Sequence, residues 1–225
     1  MSENISNNEN QKKQFDEEQY QMLLRCSENR DMTEWNEWRK ANKRGNIHLE
    51  GADLRAVGLE NANLSGVNLN GVDFFGSSLK CADLSGANLE DADFTETYLE
   101  RTDLSGANLK RAWFINSNLK RTNLSEANLE GAKLSGNDLE SPNLSGANLK
   151  GAHLTTANLE GTDLSGANLE GAKLFGANLR SANLSRANLK DAKLFGANLQ
   201  GADLSGANLE GADLRKAFID GEKLE

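Results

Sequence analysis

The sequence has few of the residues that mark disulfide-rich, metal-binding or membrane proteins. Its 225 residues include only two cysteines, two histidines and one proline. Cys26 and Cys81 are too few and too far apart for a disulfide framework, and no metal-binding spacing is present. No apolar run approaches the roughly 18 residues of a membrane span, and residues 1–4 lack a basic and then apolar signal segment. These absences predict a reducing, cytoplasmic location without membrane association.

The chain also lacks the signatures of catalysis. Its 21 glycines mostly fall at one position of a five-residue repeat, so they form no phosphate-binding loop. No set of nucleophile, base and orienting group stands out, and the carboxylates alternate with lysines on what are expected to be open faces. No loop insertion interrupts the repeat to form a cleft. We therefore expect a protein that is not an enzyme and binds neither cofactor nor metal.

What the chain has instead is a period of five. Every fifth residue from Leu49 to Leu224 is Leu, Phe or Ile. A small residue, usually Ala, stands two positions earlier, and Asn or Asp lies between them, as in Ala107-Asn108-Leu109. This period fits neither a helix, which repeats every 3.6 residues, nor a strand, which repeats every two. The unit A-(N/D)-L-x-x is therefore an internal repeat.

This pattern resembles the pentapeptide-repeat family over residues 46–225. The resemblance implies an all-β fold, a right-handed quadrilateral parallel β-helix in which four pentapeptides form one coil. About nine coils of 20 residues would stack with Leu, Phe and Ala pointing inward. At about 4.8 Å per strand, such a rod is about 43 Å long.

The surface charges support a 20-residue coil independently of the resemblance. Stacked residues lie about 4.8 Å apart, so like charges in one column repel each other. When the residue after each inward Leu is sorted in steps of 20, one column alternates in sign: Glu90, Lys110, Glu130, Lys150, Glu170, Lys190, Glu210. Such alternation is typical of a device for solubility and register, whereas a strongly anionic rod could mimic DNA.

Two regions precede the repeat. Residues 1–13 are rich in Asn, Glu, Lys and Gln and are predicted to be disordered. Residues 14–45 are predicted to form a short α-helical N-terminal cap, because the first coil of a parallel solenoid has an open sheet edge. A separate partner-binding helical hairpin is the alternative interpretation of this segment.

The cap is predicted to contain two helices, over residues 15–28 and 31–43. The second helix would begin at a capping box formed by Asp31 and Glu34 and would end at Gly45. Their apolar side chains are expected to cover the opening of the first coil. These side chains are Tyr20, Leu23, Trp35 and Trp38.

Two places in the repeat depart from its pattern. Asn137 and Pro142 replace consecutive inward small residues, and proline has no N–H for the ladder, so we expect an irregularity near the fifth and sixth coils. No helix is predicted at the C-terminus, where Phe218 stands at a position normally held by Asn or Asp. The last coil is either frayed and protected by charge or paired in a homodimer, as in family members that dimerise through C-terminal coils.

One of the four faces departs from the consensus and carries the candidate binding site. Its outward residues flank the inward column that runs from Leu54 to Leu214 in steps of 20. Exposed apolar groups on one surface mark interaction sites, and aromatic and cationic residues are common anchors. The predicted protein-binding residues are Phe75, Trp113, Ile115, Lys133, His153, Lys173, Phe175, Lys193 and Phe195. The alternative is surface decoration, with lysine stems covering the rings.

Two functions follow from these patterns. The first is a non-catalytic structural or protein-interaction module whose unidentified partner binds the unusual face. The second is a DNA mimic that interacts with DNA gyrase, like the family's quinolone-resistance proteins. The net charge of −9 permits the second function, but the alternating charges and the uninterrupted repeat oppose it. Direct nucleic-acid binding is not expected, because the basic stripe is short and the net charge is negative.

Overall fold

The computed structural model describes residues 15–42, 47–137, 139–219 and 222–223. The tail predicted to be disordered and the predicted helix end at Gly45 lie outside the described residues. The regular elements in chain order are α1 (Glu17–Glu28), α2 (Thr33–Ala41), β1 (Phe218–Ile219) and β2 (Glu222–Lys223). The repeat lies between α2 and β1. Neither α1 nor α2, the two helices of the described chain, has the length and apolarity needed to cross a membrane.

The repeat is built on a spacing of 20 residues. The residue before an inward Leu pairs in parallel with the residue 20 positions later, as Asp53 does with Asp73. The Leu54 N–H donates to the Asp73 carbonyl at 2.8 Å, and the Asp73 N–H donates to the Ala52 carbonyl at 3.0 Å. Each face is therefore a narrow parallel sheet along the rod, at the spacing that the charge columns predicted.

Each corner of a coil turns tightly after its inward residue. The Ala52 N–H donates across such a corner to the Leu49 carbonyl at 3.1 Å. Gly51, between them, has a φ of 66°, in the left-handed region that glycine adopts without steric penalty. Arg111 adopts a φ of 60° at an equivalent corner. Its N–H donates to the Glu130 carbonyl at 2.9 Å, a contact with the next coil that helps to offset the strain.

The core is a line of apolar side chains behind each face. The inward Leu and Phe residues from Leu49 to Leu199 expose at most 2% of their surface. Burial of one such side chain contributes about 1.5–3 kcal/mol to folding. Phe74, Phe94 and Phe114 stack in one of these lines, with ring centroids 5.2 and 4.9 Å apart.

One face also carries a ladder of asparagine side chains. Each Nδ2 donates to the Oδ1 of the asparagine 20 residues earlier, at 2.8–3.2 Å. The ladder members are Asn68, Asn88, Asn108, Asn128, Asn148, Asn168, Asn188 and Asn208. Because both the amide donor and the amide acceptor of an interior member are used, the ladder fixes the register between coils.

The two helices pack on the first coil of the rod. Trp35 and Leu23 are fully buried, and the Trp35 indole donates to the Asn63 carbonyl at 2.8 Å. The Tyr20 hydroxyl donates to the Asp53 carbonyl at the same distance of 2.8 Å. Apolar burial and hydrogen bonds to the edge of the sheet therefore hold the helices against the repeat.

The start of α2 differs from the predicted capping box. Asp31 accepts a hydrogen bond from the Thr33 N–H at 2.9 Å, but the Glu34 carboxylate pairs with Arg25 of α1 at 2.5 Å. A charge-assisted bond is stronger than a bond to a neutral N–H, so Glu34 is drawn to Arg25. The predicted box was wrong, because Met32 rather than Asp31 precedes the first helical residue and no side chain caps the helix from that position. The helix α2 ends at Ala41, two residues before the predicted boundary.

The coils are irregular around Asn137 and Pro142. The Asn137 side chain points inward, is 4% exposed, and donates to the Phe114 carbonyl at 2.6 Å. The Thr162 hydroxyl is buried and has no hydrogen-bond partner. Other inward threonines donate to a carbonyl 23 residues earlier, as Thr102 does to Leu79 at 2.7 Å. For Thr162 the equivalent carbonyl lies at residue 139, inside the irregular stretch.

Candidate protein-interaction face

The candidate site lies on the face that flanks the inward column from Leu54 to Leu214. We call this surface the aromatic/basic face. The residues before the inward column form one continuous parallel ladder. In order along the rod they are Asp53, Asp73, Asp93, Trp113, Lys133, His153, Lys173, Lys193 and Asp213. Adjacent members are about 4.8 Å apart, so each side chain lies beside the side chains of the members before and after it.

The structure exposes all five apolar residues predicted on this face. Phe75, Trp113, Ile115, Phe175 and Phe195 expose between 37% and 49% of their surface. A half-exposed aromatic ring retains a large apolar area in water, which a partner could bury. Each ring is anchored by a strand whose neighbouring inward residue is fully buried, so the backbone beneath the face is fixed.

These residues do not form one patch. Phe175 and Phe195 lie on adjacent coils, whereas Trp113 and Ile115 flank Phe114 three coils away, roughly 14 Å along the rod. Phe75 lies two coils beyond them, next to aspartates rather than lysines. The sequence predicted the face correctly, but the apolar residues are distributed along its length.

The basic residues of the face contact one another. The Lys133 Nζ and the Lys173 Nζ lie 3.0 and 3.1 Å from the His153 Nε2, on its two sides. Burial lowers the pKa of His153, and the charges of Lys133 and Lys173 lower it further. A neutral His153 adds no third positive charge between the two lysines, and its one acceptor nitrogen lies beside both ammonium groups.

Lysines on this face differ from lysines on the regular faces. On the alternating columns each Lys pairs with the Glu 20 residues later, as Lys110 does with Glu130 at 3.1 Å and Lys150 with Glu170 at 2.9 Å. Among the described residues, Lys133, Lys173 and Lys193 have no such carboxylate partner. Lys133 and Lys173 instead contact His153, and Lys193 lies next to Asp213 on the ladder, where its charge helps to lower the Asp213 pKa. We call Lys133, His153, Lys173 and Lys193 the basic end of the face.

The opposite end of the same ladder is acidic, a feature that the predicted site left out. Asp53, Asp73 and Asp93 are consecutive members and form the acidic end of the face. Arg55 pairs with Asp53 at 2.5 Å and approaches Asp73 at 3.6 Å. The hydrogen bonds from Arg55 lower the pKa of Asp53 to about 2. The face is thus bipolar, with Trp113 between its two ends.

Cations cover one of the exposed rings. The Arg215 guanidinium lies 6.0 Å, and the Lys216 ammonium 5.2 Å, from the centroid of Phe195. Such cation–π contacts are worth about 0.5–1 kcal/mol at exposed sites. The alternative of surface decoration named Lys193 as the cover of Phe195, whereas the cations over this ring belong to Arg215 and Lys216. No ring contact with a cation is found for Phe175 among the described residues.

Titratable groups elsewhere in the described chain do not assemble into a metal centre. No group of three or more His, Cys, Asp and Glu side chains there could hold a metal ion. Both cysteines are free thiols, Cys26 buried and Cys81 exposed. A groove of about 300 Å³ runs beside Cys81, but the paired charges of the regular columns line it.

The repeat matches a known family over most of the chain. The model of pentapeptide repeats matches in eight overlapping copies that together extend from residue 45 to residue 221. The chain belongs to the pentapeptide-repeat family. Pentapeptide-repeat proteins form right-handed β-helices, which supports the fold class predicted from the sequence.

Several solved pentapeptide-repeat structures are similar to this chain. HetL, a protein of the cyanobacterium Nostoc sp. strain PCC 7120 involved in the regulation of heterocyst differentiation, is 32% identical. That match covers 84% of this chain and 98% of HetL, with a TM-score of 0.37. A pentapeptide-repeat protein of the Arabidopsis thaliana thylakoid lumen is 36% identical over 44% of this chain and 70% of its own, with a TM-score of 0.43.

The fluoroquinolone-resistance protein QnrB1, which is plasmid-mediated, is also similar to this chain. It is 21% identical, and the match covers 78% of this chain and 92% of QnrB1, with a TM-score of 0.43. A comparison with curated proteins gave no match.

Proposed function

We propose that this pentapeptide-repeat protein is a non-catalytic interaction module that binds a protein partner through the aromatic/basic face. The observation that carries the proposal is the combination of half-exposed aromatic rings with lysines that lack carboxylate partners. Phe175, at 39% exposure, and Phe195, at 37%, lie beside Lys173 and Lys193 on two adjacent coils. Exposed aromatic rings are frequent anchors of protein interfaces, and the lysines beside them provide positive charge for a complementary partner.

The electrostatics of the described surface support a role without catalysis. The paired columns hold carboxylates at ordinary surface positions beside lysines, and the clearest pKa shifts among them lower the carboxyl pKa, as at Glu100 and Glu140. A general acid at neutral pH needs a raised carboxyl pKa instead. The cytoplasmic location expected from the sequence stays a prediction.

A pull-down with matched variants tests this function. The change is Phe175→Ser with Phe195→Ser, and the control is Tyr98→Ser, which removes an exposed aromatic ring from outside the aromatic/basic face. We expect the double variant to lose partners that the wild type and the control capture, while all three proteins keep the same β-type circular dichroism spectrum. Equal capture by both variants would show that the face is decoration.

The alternative function, a DNA mimic that acts on DNA gyrase, finds less support in the surface charges. Several glutamates of the regular faces form ion pairs with a lysine 20 residues away, as at Lys120 with Glu140, 2.6 Å apart, and Lys190 with Glu210, 3.1 Å apart. A mimic needs unpaired negative charge along the rod. A gyrase supercoiling assay separates the two functions, because inhibition or protection at micromolar protein would support the mimic.

The proposal includes the number of coils in the rod and the role of the two helices as an N-terminal cap. A rod of about nine coils, closed at its N-terminal end by α1 and α2, fits the match over residues 45–221 and the burial of Trp35 and Leu23. At the other end Leu204, Leu209 and Leu214 are half-buried, and the two alternatives for this coil, a frayed edge or a homodimer contact, both stay predictions. In this proposal the stacked coils hold the aromatic/basic face as one rigid surface.

A further inference from the structure

We infer that the partner of the aromatic/basic face is a second copy of this chain, docked antiparallel. In this arrangement the acidic end of one copy lies on the basic end of the other. The inference rests on the proposed function, since it names the partner that binds this face. It explains why one ladder groups three lysines near one end and three aspartates at the other, whereas the lysines and glutamates of the regular columns alternate and form ion pairs within the chain.

A two-fold axis gives this docking without further assumptions. Two identical faces meet when the axis lies in the plane between them, and an axis perpendicular to the rod makes the rods antiparallel. Each column then faces itself in reverse order. With the axis midway between Trp113 and Lys133, two carboxylates of the acidic end meet lysines, and the third meets the imidazole of His153, which can donate one N–H to it. The pairs are Asp53 with Lys193, Asp73 with Lys173, and Asp93 with His153.

The middle of the face and its second column fit the same register. Trp113 of one copy faces Lys133 of the other, an arrangement suited to a cation–π contact. In the column after the inward residues, Phe75 faces Phe175. The isolated Phe75, which has no aromatic neighbour on its own face, thereby gains one from the second copy.

Other arrangements are less complementary. A shift of one coil in one direction sets Asp53 against Asp213 and Lys133 against itself, which places like charges together. A shift of one coil in the other direction sets Asp53 against Lys173. Lys193 then lies past Asp53 of the second copy and has no carboxylate of the acidic end opposite it. Parallel rods would set Lys173 and Lys193 on the rings of Phe175 and Phe195, but they would leave two aspartates opposite uncharged side chains.

The area of the face predicts a weak but specific dimer. Eight coils at about 4.8 Å give a length of about 38 Å, and four residue steps of about 3.3 Å give a width of about 13 Å. Each copy thus contributes about 500 Å², or about 1,000 Å² in total, near the lower bound for specific interfaces. Dissociation constants in the micromolar range are expected, with a strong dependence on salt because charge pairs supply the specificity.

The test is a charge-reversal experiment by sedimentation velocity, from about 5 to about 200 μM full-length chain at low salt. Asp73→Lys alone and Lys173→Asp alone each set like charges against each other across the axis. We expect each variant to raise the dissociation constant at least tenfold, since like charges in contact cost more than about 1.4 kcal/mol. A one-to-one mixture of the two variants restores both pairs and should dimerise as the wild type does.

The matched control is Lys150→Asp, which makes the same charge change on a regular face and should leave dimerisation unchanged. A wild type that stays monomeric overturns the inference, and so does a mixture no tighter than the separate variants. A dimer that ignores the reversals but is lost in Phe218→Ser is an end-to-end dimer, which also overturns it. If the chain is monomeric and capture of another protein still needs Phe175 and Phe195, the proposed function stands without this inference.

Discussion

The two ends of the rod differ in how they bury the same repeated core. In the first coil, Leu49, Leu54, Leu59 and Leu64 are all 0% exposed. In the last coil, the corresponding Leu204, Leu209 and Leu214 are only half-buried. The sequence unit is the same at both ends, so the difference comes from what lies beyond it. A repeat covers the core of its neighbour, and only a non-repeat segment can cover the core at an end.

The polar groups of the two ends differ in the same way. At the N-terminal end, the helical region supplies hydrogen bonds on all four faces of the first coil. The edge groups that it satisfies belong to His48, Asp53, Gly58, Asn63 and Ser65. At the other end, the N–H groups of Leu204, Leu209 and Leu214 have no backbone acceptor among the described residues. The short β1–β2 hairpin, in which Phe218 pairs with Lys223, follows that last coil.

Among the changes that would make the two ends alike, removal of Trp35 should cause the largest loss in the free energy of unfolding. Trp35→Ala should destabilise the protein by about 3–5 kcal/mol, because it leaves a large cavity and removes the hydrogen bond to Asn63. Urea unfolding followed by circular dichroism measures the loss. The first coil should then exchange its amide hydrogens as fast as the last coil does. Trp38→Ala is the control, since Trp38 is half-buried against Trp35, and equal losses for both would contradict the role given to Trp35.

A matched pair of leucines compares the two ends directly. Leu49 and Leu209 occupy the same inward column in the first and last coils, 0% exposed and half-buried respectively. Leu49→Ala should reduce the free energy of unfolding by about 2–5 kcal/mol. Leu209→Ala should reduce it by about 1 kcal/mol, because less apolar area leaves water there. Denaturant midpoints measure both, and equal shifts would mean that the last coil is covered in solution.

The asparagine ladder allows the interior of the rod and its C-terminal end to be compared through single hydrogen bonds. Asn128 donates to Asn108 at 3.1 Å and accepts from Asn148 at 2.9 Å. Asn208, the last member, donates to Asn188 at 3.2 Å and has no next asparagine above it among the described residues. Asn128→Ala should therefore be more destabilising than Asn208→Ala by about 1 kcal/mol, the net value of one hydrogen bond. Thermal or urea unfolding of the two variants decides this, and a larger loss for Asn208→Ala would contradict it.

Much of the rod could be predicted because its contacts repeat in the sequence. The period of five placed the inward column, and sorting by 20 placed Lys110 beside Glu130 and Lys150 beside Glu170, which are ion pairs in the structure. Each of these contacts recurs along the chain, so a pattern reveals it. The same sorting placed all nine candidate residues on one face, although their role in binding stays a prediction.

Contacts that occur once could not be predicted in this way. Ser27 accepts from the Gly58 N–H at 2.9 Å, and Asn36 accepts from the Asn63 N–H at 2.8 Å. Each joins residues about 30 positions apart, and no periodicity relates them. The candidate face has the same limit, since the ring of Phe195 is covered both by Arg215, the next member of its own column, and by Lys216 at the following corner. Sequence columns show which residues share a face but not which way each long side chain leans.

The smallest expected effect concerns the unsatisfied hydroxyl of Thr162, which lies between the two ends of the rod. The Thr162 hydroxyl is buried without a partner, whereas the Thr102 hydroxyl donates to the Leu79 carbonyl at 2.7 Å. Thr162→Val keeps the shape and removes the unsatisfied group, so it should stabilise the protein by up to about 1 kcal/mol. Thr102→Val removes a formed hydrogen bond and should destabilise by about the same amount. Urea midpoints at constant m-value measure both signs. A loss of stability in Thr162→Val would instead show that its hydroxyl is bonded in solution, and that the coils beside Pro142 are as regular as the rest.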